Sequence, residues 1–185
     1  MTALLRFSDV SLRRGGRLLV EGMSLELRPG EALQISGRNG SGKSSLIRLA
    51  AGLLTAERGE VERSALALAD DAVALDRERP LAAALSFWGG DLEPALADFG
   101  IAHLAGVPVR LLSSGQLKRA TLARVQASRA PLWLLDEPLN ALDTDGCERL
   151  GVALEKHRAG GGAVLAASHQ PLPGDWRRID LGQSA

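Results

Sequence analysis

The sequence predicts an α/β protein: a parallel sheet with helices on both faces, preceded by a β-rich N-terminal part. Three observations carry that prediction. The short apolar runs EALQIS, PLWLLD and GAVLAASH read as strands buried on both faces, the pattern of a parallel sheet. Segments with helical apolar spacing separate them, the alternation that covers such a sheet with helices. The N-terminal stretches instead alternate apolar with polar residues, as half-buried strands do.

In chain order, LLRFSDVSL (4–12) and GMSLELRPG (22–30) are predicted strands joined by the turn signal RRGG. EALQIS (31–36) is a buried strand running into a glycine-rich loop, and KSSLIRLAAGLL (43–54) is a helix closing near Gly52. Residues 57–80 are expected to hold one strand, SALALA, and an acidic turn. LAAALSFW (81–88) and DLEPALADFGI (91–101) read as helices split by Gly89 and Gly90. This half-helical insert, from about Arg63 to about Ser113, is the expected small second lobe of a single domain spanning 1–185. SGQLKRATLARVQASRA (114–130) is a helix, PLWLLD (131–136) a buried strand and TDGCERLGVALEKHRAGG (144–161) a helix ending on glycines. GAVLAASH (162–169) is another buried strand, and WRRIDLG (176–182) is read as a last one.

The totals bound the function. At 185 residues and 45% apolar, the chain can bury one sizeable core. Twenty-two basic residues balance 22 acidic ones, so no global field draws it to nucleic acid. The single cysteine, Cys147, makes no internal disulfide, which fits a reducing compartment. The start MTALLRFSDVSLRR lacks the basic end, apolar stretch and cleavage site of a leader, and no apolar run approaches the roughly 20 residues that span a bilayer. The expectation is a cytosolic protein that reaches a membrane only through a partner.

GRNGSGKS (37–44) fits G-x-x-x-x-G-K-[ST] between a predicted strand and a predicted helix. Glycines let successive backbone N–H groups turn inward on phosphate oxygens, and the helix N-terminus adds its positive end. Gly37, Asn39, Gly40, Ser41, Gly42, Lys43, Ser44 and Ser45 are the candidate phosphate contacts of ATP. Lys43 reaches the outer phosphates, and the Ser44 hydroxyl ligates Mg²⁺. PLWLLDEP sets Asp136 and Glu137 at the C-terminal end of a buried strand, where ligands of open α/β sheets bind. Asp136 is the second candidate magnesium group, and Glu137 is the candidate base that polarises the attacking water.

LSSGQLKR (112–119) follows, and with the two motifs above it resembles the signature of ATP-binding-cassette (ABC) ATPases, usually L-S-G-G-Q. Ser114 replaces the first glycine. The order also matches: phosphate loop, signature, LLDEP, NALD at Asn140–Asp143, and Ser168–His169. The resemblance covers nearly the whole chain. It implies the P-loop NTPase fold of ABC ATPases, with a β-rich N-terminal part and a small helical subdomain. It also implies that Ser113, Ser114, Gly115 and Gln116 grip ATP held by a second copy, so that a homodimer sandwiches two nucleotides. In that family Asp143 makes a dimer contact, and His169 meets the γ-phosphate and helps place the water.

Two departures stand out. The family's glutamine between loop and signature is missing, because no glutamine lies between Gln34 and Gln116. Asp70 or Asp71 falls there, with Asp76 a weaker candidate. The segment before that point is short, so a strand or hairpin is expected to be trimmed. Nor is there a tyrosine to stack on adenine; Arg13 or Arg14 falls near the expected place, as a guanidinium platform or simply an exposed turn residue.

A narrower resemblance is to the ATP-binding subunits of cytochrome c maturation (haem exporter) systems. It rests on the short chain, on QASRAPLWLLDEPLNALDTDG, on ASHQPL, and on AAALSFW, which lacks the Glu and Asn of the corresponding subfamily string. It implies an ATPase docked peripherally, through permease subunits, on the cytoplasmic face of the inner (plasma) membrane, powering haem delivery. His103 and His157 lie in unrelated contexts without C-x-x-C-H, so haem binding by this chain is not expected. The alternatives are the ATPase of another ABC importer or exporter, a soluble ABC factor, and a hydrolysis-poor scaffold.

Overall fold

Residues 2–70 and 75–181 are described by a computed structural model. Two sheets organise them. β1 (Leu5–Arg14), β2 (Arg17–Leu27) and β4 (Arg58–Arg63) form an antiparallel sheet in the order β2-β1-β4. The second sheet is parallel, in the order β5-β6-β7-β3-β8, from Leu66–Ala69, Leu132–Asp136, Ala163–Ala167, Ala32–Ser36 and Arg177–Asp180. The α/β expectation therefore holds, as do the expected strands.

Successive side chains of a strand point to opposite faces, and here that splits the core in two. Leu132 and Leu134 of β6, with Leu165 of β7 and Leu33 and Ile35 of β3, pack against helix α1 (Lys43–Ala50) and the apolar face of β1. Trp133 and Leu135, with Val164 and Ala166, face the other way. They meet α2 (Leu81–Leu85), α3 (Leu92–Asp98), α4 (Ser114–Ala127) and α5 (Thr144–Ala159). Every residue of β6 and β7 is buried, as a parallel strand covered on both faces must be.

One strand escaped the sequence reading. RGEVER forms β4, although Val61 is its only apolar side chain. Main-chain pairing with β1 and a cross-strand ion pair from Arg6 to Glu62 at 3.2 Å hold it. Its charges suit an edge strand, where an apolar one would invite further pairing. β5 lies within the stretch read as a second lobe but joins the parallel sheet beside β6. The helical pieces of that stretch run from α2 through short 3₁₀ turns to Leu111.

Under the sheet, the His157 ring stacks on Trp133 with centroids 3.9 Å apart, and its Nε2–H donates to the Ala163 carbonyl at 3.3 Å. Gly162 is required beneath it, since a Cβ there would lie 2.2 Å from the imidazole. Burial pushes the His157 pKa below the ordinary imidazole value. The unfolded chain then binds a proton that the folded chain resists. Stability is therefore lost as pH falls through about 6.5 toward the lower folded value. Urea unfolding between pH 8 and 5 should show that loss, and His157→Phe, which keeps a stacked ring, should flatten it; an unchanged slope in the variant would place the titration elsewhere.

Candidate functional site

Three adjacent parallel strands, β6, β7 and β3, end at the same edge of the sheet. The phosphate loop leaves β3, Asp136 and Glu137 close β6, and Ser168 and His169 follow β7. Segments about 30 to 130 residues apart in sequence are thus brought together by register alone.

In the loop, the buried Lys43 ammonium donates to the carbonyls of Gly37 at 3.0 Å and Arg38 at 3.3 Å. It also stands 3.8 Å from Glu137 Oε1. Gly42, at φ +105°, starts α1 without a side-chain cap, and a Cβ on it would sit 3.2 Å from Leu19. The helix start is therefore left with free N–H groups, which suits an anion. Ser41 Oγ is buried there with no protein partner.

Ser44 Oγ donates to Asp136 Oδ1 at 3.0 Å, which brings together the two groups expected to hold Mg²⁺. A hydroxyl and a carboxylate oxygen fit a hard cation that keeps waters and phosphate oxygens as its remaining ligands. No cluster of three or more His, Cys, Asp or Glu suited to a metal occurs among the described residues, so nucleotide oxygens would have to complete the shell.

Glu137 is gripped at both carboxylate oxygens. Oε1 faces Lys43, and Oε2 accepts from His169 Nδ1–H at 2.9 Å. Its backbone sits at φ 44°, a strained conformation for a side-chain-bearing residue, while its N–H donates to the Ala167 carbonyl at 2.8 Å. Gln170 Nε2 reaches His169 Nε2 at 3.3 Å. Behind this pair lies Gln34, which the sequence reading passed over. Its buried amide donates to the Ser168 carbonyl at 3.3 Å and the Gln170 carbonyl at 2.7 Å, bracing the histidine turn from inside β3. The available signal was a lone polar side chain within the run Leu33–Ile35.

The signature forms a second, separate recess. Ser113 caps α4: its Oγ accepts from the Gln116 N–H at 3.2 Å, and the Gln116 side chain accepts from the Ser113 N–H at 2.9 Å, a capping box. Gly115 approaches the 140–143 turn so closely that a Cβ would lie 2.7 Å from the Ala141 carbonyl. Asp143 caps α5 through Gly146 N–H at 2.9 Å and pairs with Arg119, which also holds Asp145 at 2.7 Å and the Phe99 carbonyl at 3.1 Å. The Gly146 N–H first, and the Arg119 guanidinium next, keep the Asp143 carboxyl below its ordinary range. Ser113 to Gln116 line this recess with His103, Arg119 and Asp143; Lys43, Ser44 and Glu137 line the phosphate cleft with Arg14, Arg17 and Leu19. The two recesses share no residue.

The open alternatives separate as follows. Arg13 is tied to Glu57 at 3.3 Å and to the Gly16 carbonyl at 3.1 Å, whereas Arg14 lines the phosphate cleft and donates to Ser45 Oγ at 3.2 Å. Asp70 is buried 3.8 Å from Arg48 and lines a neighbouring cavity with Ser114, Lys118 and Asn140. Asp71 lies outside the described residues. Asp76 accepts from the Glu78 N–H at 3.1 Å and shapes a turn.

Comparison with known proteins fits this geometry. The family model for ABC transporters matches residues 20–140. A protein named "Cytochrome c biogenesis ATP-binding export protein CcmA" from Novosphingobium aromaticivorans is 54% identical over 171 residues, 89% of this chain and 88% of the relative. Its namesake in Sphingopyxis alaskensis is 51% identical over 180 residues, 93% of each. Among solved structures, the ATP-binding subunit of an ABC transporter superposes with a TM-score of 0.82 at 23% identity, covering 90% of this chain and 79% of its own. An ABC transporter ATP-binding protein from Pyrococcus furiosus gives 0.83 at 19% identity and 96% coverage of both, which supports the fold alone.

Gly115→Ala tests the contact between signature and turn. Its methyl group has to displace the Ala141 carbonyl, an overpacking cost of about 1–3 kcal/mol. A thermal midpoint several degrees lower is expected by calorimetry; an unchanged midpoint would show that the two segments are not tightly packed.

Proposed function

The chain belongs to the ABC transporter family, and on that premise we propose that it is the ATP-hydrolysing subunit driving a cytochrome c biogenesis exporter, with haem delivery as the work done. One observation carries the reading. A phosphate-loop motif, a serine–aspartate pair and a carboxylate–imidazole pair converge at one sheet edge, in a chain 54% identical to a protein named for that export system.

ATP lies with its phosphates against the N–H groups of the loop and the start of α1, and Lys43 leaves its carbonyl partners to meet the outer phosphates. Ser44 and Asp136 would hold Mg²⁺, which would supply positive charge to offset the negative charge developing on the phosphates. Glu137 orients the attacking water and accepts its proton, with His169 at its other side. Arg14 offers its guanidinium plane to the base, in place of an aromatic ring.

The separate signature recess supports a homodimer in the ATP-bound state. A second copy laid across the phosphate cleft brings Ser113, Ser114, Gly115 and Gln116 to the far side of the phosphate, and a second set of N–H groups with it. Asp143, pinned by Arg119 beside that recess, is the proposed contact across the dimer. Attachment to the membrane is peripheral. No helix of the described residues is long and apolar enough to cross it, and docking on permease subunits at the cytoplasmic face is the arrangement proposed. Phe87, 83% exposed, and Trp88, in edge contact with it at 5.2 Å, present aromatic surface, which is the proposed contact with the permease.

Two experiments test this. Glu137→Gln should lower phosphate release by about 100-fold or more while a fluorescent ATP analogue still binds; near-normal turnover would remove Glu137 as the base. A tagged chain should recover its permease from native membranes, and Phe87→Ser should lose that permease yet keep ATP binding. Recovery of an unrelated permease would leave the ATPase reading standing and discard the cytochrome link.

A further inference from the structure

Lys118 is a buried amine to which none of the family motifs assigns a role. It stands in α4 four residues after Ser114, on the same helical face, and is 7% exposed. Its Nζ donates to the backbone carbonyl of Asp136 at 3.3 Å. The side chain lines a cavity with Ser114, Thr121, Asp70 and Asn140, outside the phosphate cleft. Burying an ammonium ion costs several kcal/mol unless hydrogen bonds and opposite charge offset it. Arg119, the next residue, works on the other side of the helix, binding α5 and the Phe99 carbonyl.

We propose that Lys118 is a positioning residue that anchors the main chain of Asp136, and so fixes where its carboxylate meets Ser44 and the magnesium ion. The anchor comes from the helix whose first turn carries the signature. The path from Ser113 to Ser44 then runs through a capped helix, one side chain and one residue: the capping box, Lys118 Nζ, the Asp136 carbonyl, the Asp136 carboxylate and Ser44 Oγ. A rigid shift of α4 moves the lysine and draws on the end of β6. Partners behind a metal ligand commonly alter metal affinity by about 10- to 100-fold when removed. The inference rests on the ATP and magnesium reading above, but it concerns a residue that touches neither.

The test is the magnesium dependence of nucleotide affinity, read with a fluorescent non-hydrolysable ATP analogue on the full chain, and involves no turnover. Lys118→Met should raise the magnesium concentration for half-maximal enhancement by about tenfold and leave affinity without magnesium within about twofold. Lys118→Arg, which keeps charge and donor, should stay close to wild type. A purely structural role would weaken binding equally with and without magnesium, and that result, or an unshifted magnesium midpoint, overturns the proposal. Should Lys118→Met fail to fold, Lys118→Gln takes its place under the same criteria. A wild-type chain whose nucleotide affinity ignores magnesium would instead sink the metal reading itself, which separates the two failures.

Discussion

Ser44 opens the helix that follows β3 and Asp136 ends β6, and those two strands are not neighbours. β7 lies between β3 and β6, so the 3.0 Å hydrogen bond between the two residues exists only because α1 lies across the sheet and packs on β6 and β7. That crossing depends on what β7 is made of. Ala163 and Ala167, with one leucine between them, meet Leu46, Ile47 and Ala50 of the helix in the same buried cluster. Small side chains there keep the helix close, and its first turn comes down over the β6 end. Much of the site follows: Lys43, one residue earlier, then stands over Glu137, and the turn after β7 delivers His169 to the other carboxylate oxygen. Gln34 supports that turn from β3, so each of the three strands contributes to holding the next.

The second recess is built on different physics. Its elements are held by helix caps and by charge. Ser113 and Gln116 satisfy each other's backbone N–H groups, Asp143 does the same for α5, and Arg119 joins the two helices to the end of α3. Gly115 lets α4 touch the 140–143 turn. The result is a rigid surface with main-chain donors at its rim and no phosphate loop within it. The two recesses share no residue, and the proposed reaction, which uses both on one nucleotide, therefore calls for a second copy.

How much of this was legible in the sequence depended on whether a residue's role is set by its neighbours in the chain or by contacts across the fold. The phosphate loop and the acidic pair closing PLWLLDE are local devices: each follows directly on a buried strand, and spacing alone locates them. β4 was not legible because its stability comes from pairing with β1 and not from a buried face. Gln34 and Lys118 were not legible because a polar residue in an apolar strand, or a lysine in a charged helix, shows its partner only when the fold is closed. Arg13 and Arg14 were indistinguishable in sequence; adjacent strand residues point to opposite sides, and only the positions of Glu57 and Ser45 decide between them. Asp70 fell at the site of the missing glutamine, yet its charge is answered by Arg48, a residue of α1 that no motif marks.

The contacts of Glu137 bear on what the proposed nucleotide would have to displace. The Glu137 carboxylate faces Lys43 at 3.8 Å through Oε1 and accepts the His169 Nδ1–H at 2.9 Å through Oε2, so each oxygen has a partner within the chain. Lys43 is shared, because the same ammonium holds the Gly37 and Arg38 carbonyls. Phosphate oxygens carry more charge than those carbonyls and stand at the helix N-terminus, so an arriving nucleotide competes for the lysine on favourable terms. In the proposed reaction Lys43 turns to the phosphates, and Oε1 of Glu137 then loses that partner. The backbone strain at φ 44° keeps the carboxylate at the strand end, between Lys43 and His169. In the proposed reaction, then, the lysine that meets the nucleotide is the one that faces Glu137, and His169 remains beside the carboxylate.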